Sequence, residues 1–311
     1  MTGSAVARIK KRGFKKESLF HNRAAYLYLL PWFIGFLILQ LYPFAASLYY
    51  SFTDYSMVKA THFIGLQNYI KIFTKDTLFL KSLGVTFKYV LFSVPLKLAF
   101  ALFIAVLLNM NVKGIRSFRV LYYLPSILGG SVGVAILWRF LFNRKGVVNL
   151  MLMQLFGIAP IDFIGSPTLT IYTISMISVW QFGSSMVLFL AALKDVPADL
   201  REAALIDGAN KWKVFWHVTF PMITPIVFFN LISQTISAFQ QFSAPFLITD
   251  GGPLNTTYLY GLMLYDHAFT YLKMGYACAL SWILFTIILI FTAIVFKSSP
   301  YWTYYEDGGD L

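Results

Sequence analysis

The 311-residue chain is 58% hydrophobic and only 12% charged, with a formal net charge of +12 and a single cysteine. Ordinary soluble domains run near 45–50% apolar and about 25% charged, so this chain has too little polar surface to cover a water-soluble globule. Soluble enzyme, disordered segment and disulfide scaffold are excluded, and one cysteine forms neither an intrachain disulfide nor a cysteine metal cluster; Cys278, between two alanines, reads as a small hydrophobe.

A hydrocarbon layer about 30 Å thick takes about 20 apolar helical residues to cross. Six stretches qualify: Ala25–Phe52, Gly84–Leu108, Val120–Phe142, Leu169–Leu193, Met222–Ile248 and Tyr276–Phe296. The first is too long for a cleaved signal peptide and leads into no small-residue cleavage site, so it is expected to be retained. The chain therefore reads as all-α and integral to the membrane: a basic cytoplasmic N-terminus over 1–24, six spans within 25–297, and a C-terminal tail over 298–311. No internal repeat or low-complexity stretch divides it.

Lysine and arginine near span ends set orientation. With the N-terminus inside, 15 of them fall on cytoplasmic pieces and 8 outside, while Lys88 and Lys97 lie within the second span. Both termini are thus expected in the cytoplasm, and the basic N-terminus is expected to lie on anionic lipid rather than to bind nucleic acid. Aromatics near span ends, Tyr26, Trp32, Trp138 and Trp180 among them, read first as interfacial belts.

The cytoplasmic segment 194–221 is too long for a tight turn and too regular for a linker. Asp195 is placed to cap a helix that Pro197 opens; Leu200, Ala203, Ala204 and Asp207 share its face; Gly208 suits a left-handed stop. Asn210 is placed to cap a second helix with a stripe of Trp212, Phe215, Trp216 and Thr219, which Pro221 closes before the fifth span. Two short amphipathic helices meeting at Gly208 form either a lipid-lying pair or a knob that another protein grips closely against Ala203 and Ala204.

This segment resembles the signature loop of ABC-importer permeases: E-A-A, three residues, G, nine residues, I-x-L-P. Here Glu202-Ala203-Ala204 is followed at that spacing by Gly208 and by Val218-Thr219-Phe220-Pro221, with Val for Ile and Phe for Leu. Tyr42-Pro43-Phe44, Phe63-Ile64-Gly65-Leu66-Gln67-Asn68-Tyr69, Leu124-Pro125 and Asp250-Gly251-Gly252-Pro253 are similar to the maltose-transporter type of sugar permease. The resemblance implies a transmembrane subunit of an ATP-driven carbohydrate importer in the bacterial inner membrane. Glu202, Ala203, Ala204 and Gly208 would dock an ATPase. The partners implied are a second permease chain, two ATPase subunits that hold the ATP and Mg, and a solute-binding protein outside. No G-x-x-x-x-G-K-[ST] phosphate loop occurs in this sequence, in line with ATP sitting elsewhere.

Polar side chains within spans need a partner or a wet cavity. Asn230, Gln234, Ser237 and Gln241 recur at spacings of four, three and four, so one face of the fifth span is expected to carry them. They suit sugar hydroxyls, which need both donors and acceptors, or hydrogen bonds to a partner helix. Trp180 and Gln181 are further candidates. Lys97 lies about 18 Å above the cytoplasmic end of its span; it is either structural or a contact for an acidic sugar. Lys88 is expected to snorkel outward. The four histidines are scattered and suggest no metal site. Glycerol phosphate and polyamine-like solutes stay open within the class. A stand-alone secondary transporter is the alternative outside it, but the spans carry no acidic residue for proton coupling.

Overall fold

The computed structural model describes residues 23–110 and 114–304, without the side chains of residues 23–25 and 116. The basic N-terminus over 1–22, Lys113, and the acidic end over 305–311 lie outside the described residues. Two compact units divide at Tyr49 and Tyr50. The first unit is one apolar helix: α1 (Arg23–Phe36) runs through a π turn at Leu37–Leu41 into α2 (Tyr42–Ser51), which ends just past the boundary.

The second unit starts with α3 (Gln67–Thr74) and the 32-residue α4 (Thr77–Leu108). α4 begins seven residues before the expected span because Asp76 caps it, its carboxylate accepting from Leu78 N at 3.0 Å. α4 is the axis of the unit. Its buried residues recur at spacings of three and four, from Phe79 through Ser82, Thr86, Val90, Val94, Lys97, Ala101, Ala105 and Leu108. Small side chains at Ser82, Thr86, Ser93, Ala101 and Ala105 let neighbouring helices approach closely. The hydroxyls return to their own helix, Ser82 to Phe79 O at 2.9 Å and Thr86 to Ser82 O at 2.8 Å.

The third expected span is not one straight helix. α5 (Ile115–Leu128) and α6 (Val132–Leu141) meet at 102°. Gly130 takes φ +78°, which a residue with a Cβ resists, and Ser131 Oγ caps the new helix at Val134 N. The stretch between the third and fourth expected spans holds α7 (Val147–Phe156), about 15 Å long and too short to cross. Asn149 fastens it through paired bonds with the backbone of Ile161, both 2.8 Å. The fourth span is α8 (Thr170–Trp180) and α9 (Gly183–Asp195), bent by 46° at Gln181–Phe182. Gly183 lets α9 lie directly on the α5 backbone at Tyr122 and Tyr123.

α10 (Ala198–Ile206) and α11 (Lys211–Val214) follow. A π turn at Phe215–Thr219 then joins α11 to α12 (Phe220–Phe239) without interruption. Pro221 therefore does not close the second amphipathic helix, as expected, but sits inside a continuous 29-residue helix, Lys211–Phe239. A proline removes one helical hydrogen bond and crowds the preceding turn, and the wider π turn lies directly before it. The fifth span ends at Phe239; the rest of the expected stretch is a break and the short α13 (Ser243–Ile248). α14 (Tyr260–Tyr265), a π turn at Asp266–Thr270 and α15 (Met274–Ser298) complete the chain. Four helices are long and apolar enough to cross a membrane, or six if each bent pair is one span.

The core lies where α4 meets α8, α9 and α12. α14 is seated on α4 by a buried bond of 2.8 Å from Tyr260 N to Thr86 Oγ1, and Tyr260 Oη reaches Leu280 O at 2.8 Å. Residues 299–304 form a strap. Thr303 is buried, Trp302 meets Phe228 edge-on with ring centroids 5.7 Å apart, and Tyr304 N donates to Thr224 Oγ1 at 2.9 Å.

Candidate functional site: an exposed two-helix knob and a polar seam

α10 buries none of its residues. Glu202, Ala203 and Gly208 are exposed and Ala204 is half-buried. Asp195 does not cap α10: it is the last residue of α9, and Val196 and Pro197 in extended backbone redirect the chain. The other end matches expectation closely. Gly208 takes φ +85°, Gly208 N bonds Leu205 O at 3.1 Å and Ala209 N bonds Ala204 O at 3.0 Å. This pair of bonds around a left-handed residue is the Schellman stop. Asn210 Oδ1 accepts from Lys213 N at 2.8 Å and so caps α11.

The two helices thus turn back on each other at a glycine where an added Cβ would meet only open space. Ile206 is 86% exposed and Trp212 70% exposed, with Leu200, Leu205 and Trp216 also open. Between this pair and the last turns of α4 lies a groove of about 810 Å³, lined by Leu102, Phe103, Val106, Phe215 and Trp216, with Arg201 and Glu202 at its polar edge. Such a knob presents a contiguous apolar and backbone surface, the anatomy of a protein contact rather than of a self-sufficient fold.

The polar seam is less regular than its spacing suggested. Asn230 is 1% exposed; Nδ2 donates to Ile226 O at 3.1 Å and Oδ1 has no partner among the described residues. Gln234 is half-buried; Ser237 is exposed and donates to Ser233 O at 2.9 Å. Gln241 does not continue this face, because the helix ends at Phe239 and Gln241 falls in the break. It instead joins Gln181 in a small pocket of about 80 Å³ with Gly130, Ser131 and Ser243. Three helix breaks meet here: α5 to α6, α8 to α9, and α12 to α13. Irregular backbone at membrane depth survives only against protein or water.

Lys97 is 9% exposed on the buried face of α4, and no acid pairs with it among the described residues. Ser185 on the neighbouring α9 is fully buried, and its Oγ also lacks a partner there. Lys88 is exposed, its Nζ 5.0 Å over the Tyr172 ring. Trp180 and Trp138 do not stand as free belt residues. Their rings lie 6.1 Å apart, and Trp138 Nε1 donates to Thr173 O at 3.1 Å.

At the opposite end of the unit a hydrogen-bonded cluster joins α4 to α15. Asp76 Oδ2 accepts from Tyr276 Oη at 2.6 Å and lies 3.8 Å from His267 Nε2. Asp266 Oδ2 accepts from Tyr258 Oη at 2.7 Å. Burial, then the Asp266 hydrogen bond, raises the Tyr258 pKa well above its usual range. Burial lowers that of His267 despite the nearby Asp76. No spacing signal marks this cluster, since its members lie up to 200 residues apart.

The profile of one family, described as the binding-protein-dependent transport system inner membrane component, matches residues 79–300. The chain belongs to that family. The permease is 48% identical to the probable ABC transporter permease protein YesP of Bacillus subtilis strain 168, over 98% of this chain and 99% of the relative. It is 31% identical to the multiple sugar-binding transport system permease protein MsmF of Streptococcus mutans serotype c, over 85% and 92%. Its fold matches a chain of a bacterial alginate ABC transporter solved in complex with an alginate pentasaccharide-bound periplasmic protein. The TM-score is 0.77 at 22% identity, covering 89% of this permease and 93% of that chain. The matched family region contains the knob, the seam and all of α4 from Phe79 onward.

Proposed function

We propose that this permease is one of two transmembrane chains of an ATP-driven carbohydrate importer, and that its knob receives one ATPase subunit. The observation that carries the reading is the knob itself. The E-A-A-x3-G residues stand on a helix with nothing buried, closed by a Schellman stop at a glycine with free space around it. One knob serves one ATPase, so a second permease supplies the second. The ATPase pair holds ATP and Mg, and this chain holds neither. The positive bias of 1–24 and of 194–221 supports a cytoplasmic knob and cytoplasmic termini.

The continuity of α11 with α12 gives the transmission. Asn230 stands 19 residues beyond Lys211 on one uninterrupted helix, about 28 Å along its axis. Movement imposed at the knob is carried to the polar seam as a rigid displacement, one of the standard ways a packed bundle changes state. ATP-driven closure of the ATPase pair supplies the differential affinity that shifts inward-open to outward-open.

Asn230, Gln234, Ser237, Gln241 and Gln181 supply the donors and acceptors for sugar hydroxyls, and Trp180, whose ring lies 6.1 Å from that of Trp138, is the neighbouring aromatic candidate. Lys97 points the reading to an acidic carbohydrate. A buried ammonium with no opposing acid is costly, and a carboxylate on a passing solute relieves that cost. The solute of the structurally similar transporter, alginate, is an acidic polysaccharide. MsmF, the sugar-transport relative, supports the wider class. The test is uptake by the reconstituted complex, with Lys97→Met compared on acidic and neutral oligosaccharides of equal length. Loss confined to the acidic set supports the reading; equal loss on both makes Lys97 structural.

A further inference from the structure

A basic pocket opens at the end of the unit away from the knob. It encloses about 510 Å³ between the α2–α3 connection, α3 and the start of α15, with Asp54, Gln67, Lys71, Lys75, Lys273 and Tyr276 in its wall. The three lysines are exposed and come from two separate segments: Lys71 and Lys75 from the end of α3, Lys273 from the residue before α15. The acids near the pocket accept hydrogen bonds from other groups rather than from the lysines. Asp54 Oδ1 accepts from His62 N at 2.6 Å, and both oxygens of Asp76 are taken by Leu78 N and Tyr276 Oη. No carboxylate among the described residues forms an ion pair with any of the three ammonium groups. Lys71 and Lys273 stand only over tyrosine rings, at 5.6 and 5.8 Å. Lys81 shows the contrast, its Nζ held by Leu254 O at 2.7 Å.

We propose that this pocket is an electrostatic docking site for an acidic patch on the solute-binding protein, with Lys71, Lys75 and Lys273 as the reading groups. The proposal rests on the importer reading above, which puts this end outside. The family's transport is binding-protein-dependent by description, so a soluble partner must engage that end. Unpaired cations at the rim of an interface speed and orient encounter more than they add affinity. Charges from two segments fit a protein surface with several carboxylates better than one solute in transit.

The experiment uses the whole complex in nanodiscs of zwitterionic lipid, with the solute-binding protein that co-purifies from native membranes. ATP hydrolysis is titrated against that protein at low and high salt. Neutralising all three lysines to Gln is expected to raise the half-saturating concentration about tenfold at low salt and to flatten its salt dependence. High binding-protein concentration is expected to restore the rate. Lys59→Gln, on the same side but outside the pocket, is the control and leaves the titration unchanged. A titration within twofold of the unmodified complex overturns the proposal. So does an effect that appears only with anionic lipid, or one that moves the solute's half-saturation at saturating binding protein, since either assigns the lysines to another ligand. Absence of stimulation in the unmodified complex sinks the importer reading together with this one.

Discussion

Thr86 shows how a single hydroxyl joins two distant parts of this chain. Its Oγ1 donates to Ser82 O and accepts from Tyr260 N, both at 2.8 Å in a fully buried site. Thr86→Val keeps the shape and leaves the Tyr260 N–H without an acceptor. The expected loss is about 1–3 kcal/mol, read as a lower unfolding midpoint in detergent, while Thr86→Ser stays near the parent. Lys97 behaves oppositely. Lys97→Met removes an unpaired buried charge at nearly constant volume, so the unfolding midpoint is expected to hold or rise even as acidic-sugar uptake falls. His267 gives a pH signature. Burial depresses its folded-state pKa, so the unfolded chain binds more protons below the ordinary histidine value of about 6.5. Its contribution is present above that pH and is lost as pH falls toward the depressed value. The parent is therefore expected to lose stability faster than His267→Gln on going from about pH 7 to pH 5; parallel curves would exclude the histidine as the cause.

At the scale of elements, the knob was the most legible part of the chain. Gly208 and Asn210 sit at a helix stop and a helix start because their local chemistry demands it, and local chemistry is what a sequence displays. The E-A-A spacing added an expected role to a shape already readable. Breaks were harder to see. Gly129-Gly130 marked the one between α5 and α6, yet apolar content ran on across it and hid a 102° bend. The end of α12 at Phe239 has no proline or glycine to announce it, so Gln241 was placed on a face it does not share. Pro221 misled in the other direction, because a π turn absorbs it within a continuous helix. The Asp76–Tyr276–His267 cluster had no sequence signal at all, being assembled by packing. The knob's own prediction follows from its geometry. Gly208→Ala strains a left-handed residue by about 1 kcal/mol without a clash, so it is expected to retain most transport. Gly208→Asp adds charge and bulk at the contact, and is expected to reach the membrane and lose transport. Normal uptake by the Asp variant would remove the knob from the mechanism.

At the scale of the molecule, two ends carry different chemistry along one set of helices. One end offers an apolar knob of small residues and tryptophans; the other offers unpaired lysines around a tyrosine-lined hollow. Between them lie the polar seam, the convergence of three helix breaks at Gln181 and Gln241, and a buried ammonium. The proposed function makes such an inner-membrane component one piece of a larger machine, with the knob and the cations as the surfaces it would offer to partners. The most direct measurement purifies the tagged permease from native membranes in mild detergent, beside its Gly208→Asp variant, and identifies the co-purifying chains while assaying ATP hydrolysis. The account predicts a second permease with both proteins, and an ATPase with hydrolysis only with the parent. A parent that purifies repeatedly without an ATPase, or a variant that retains it in full, would contradict the account.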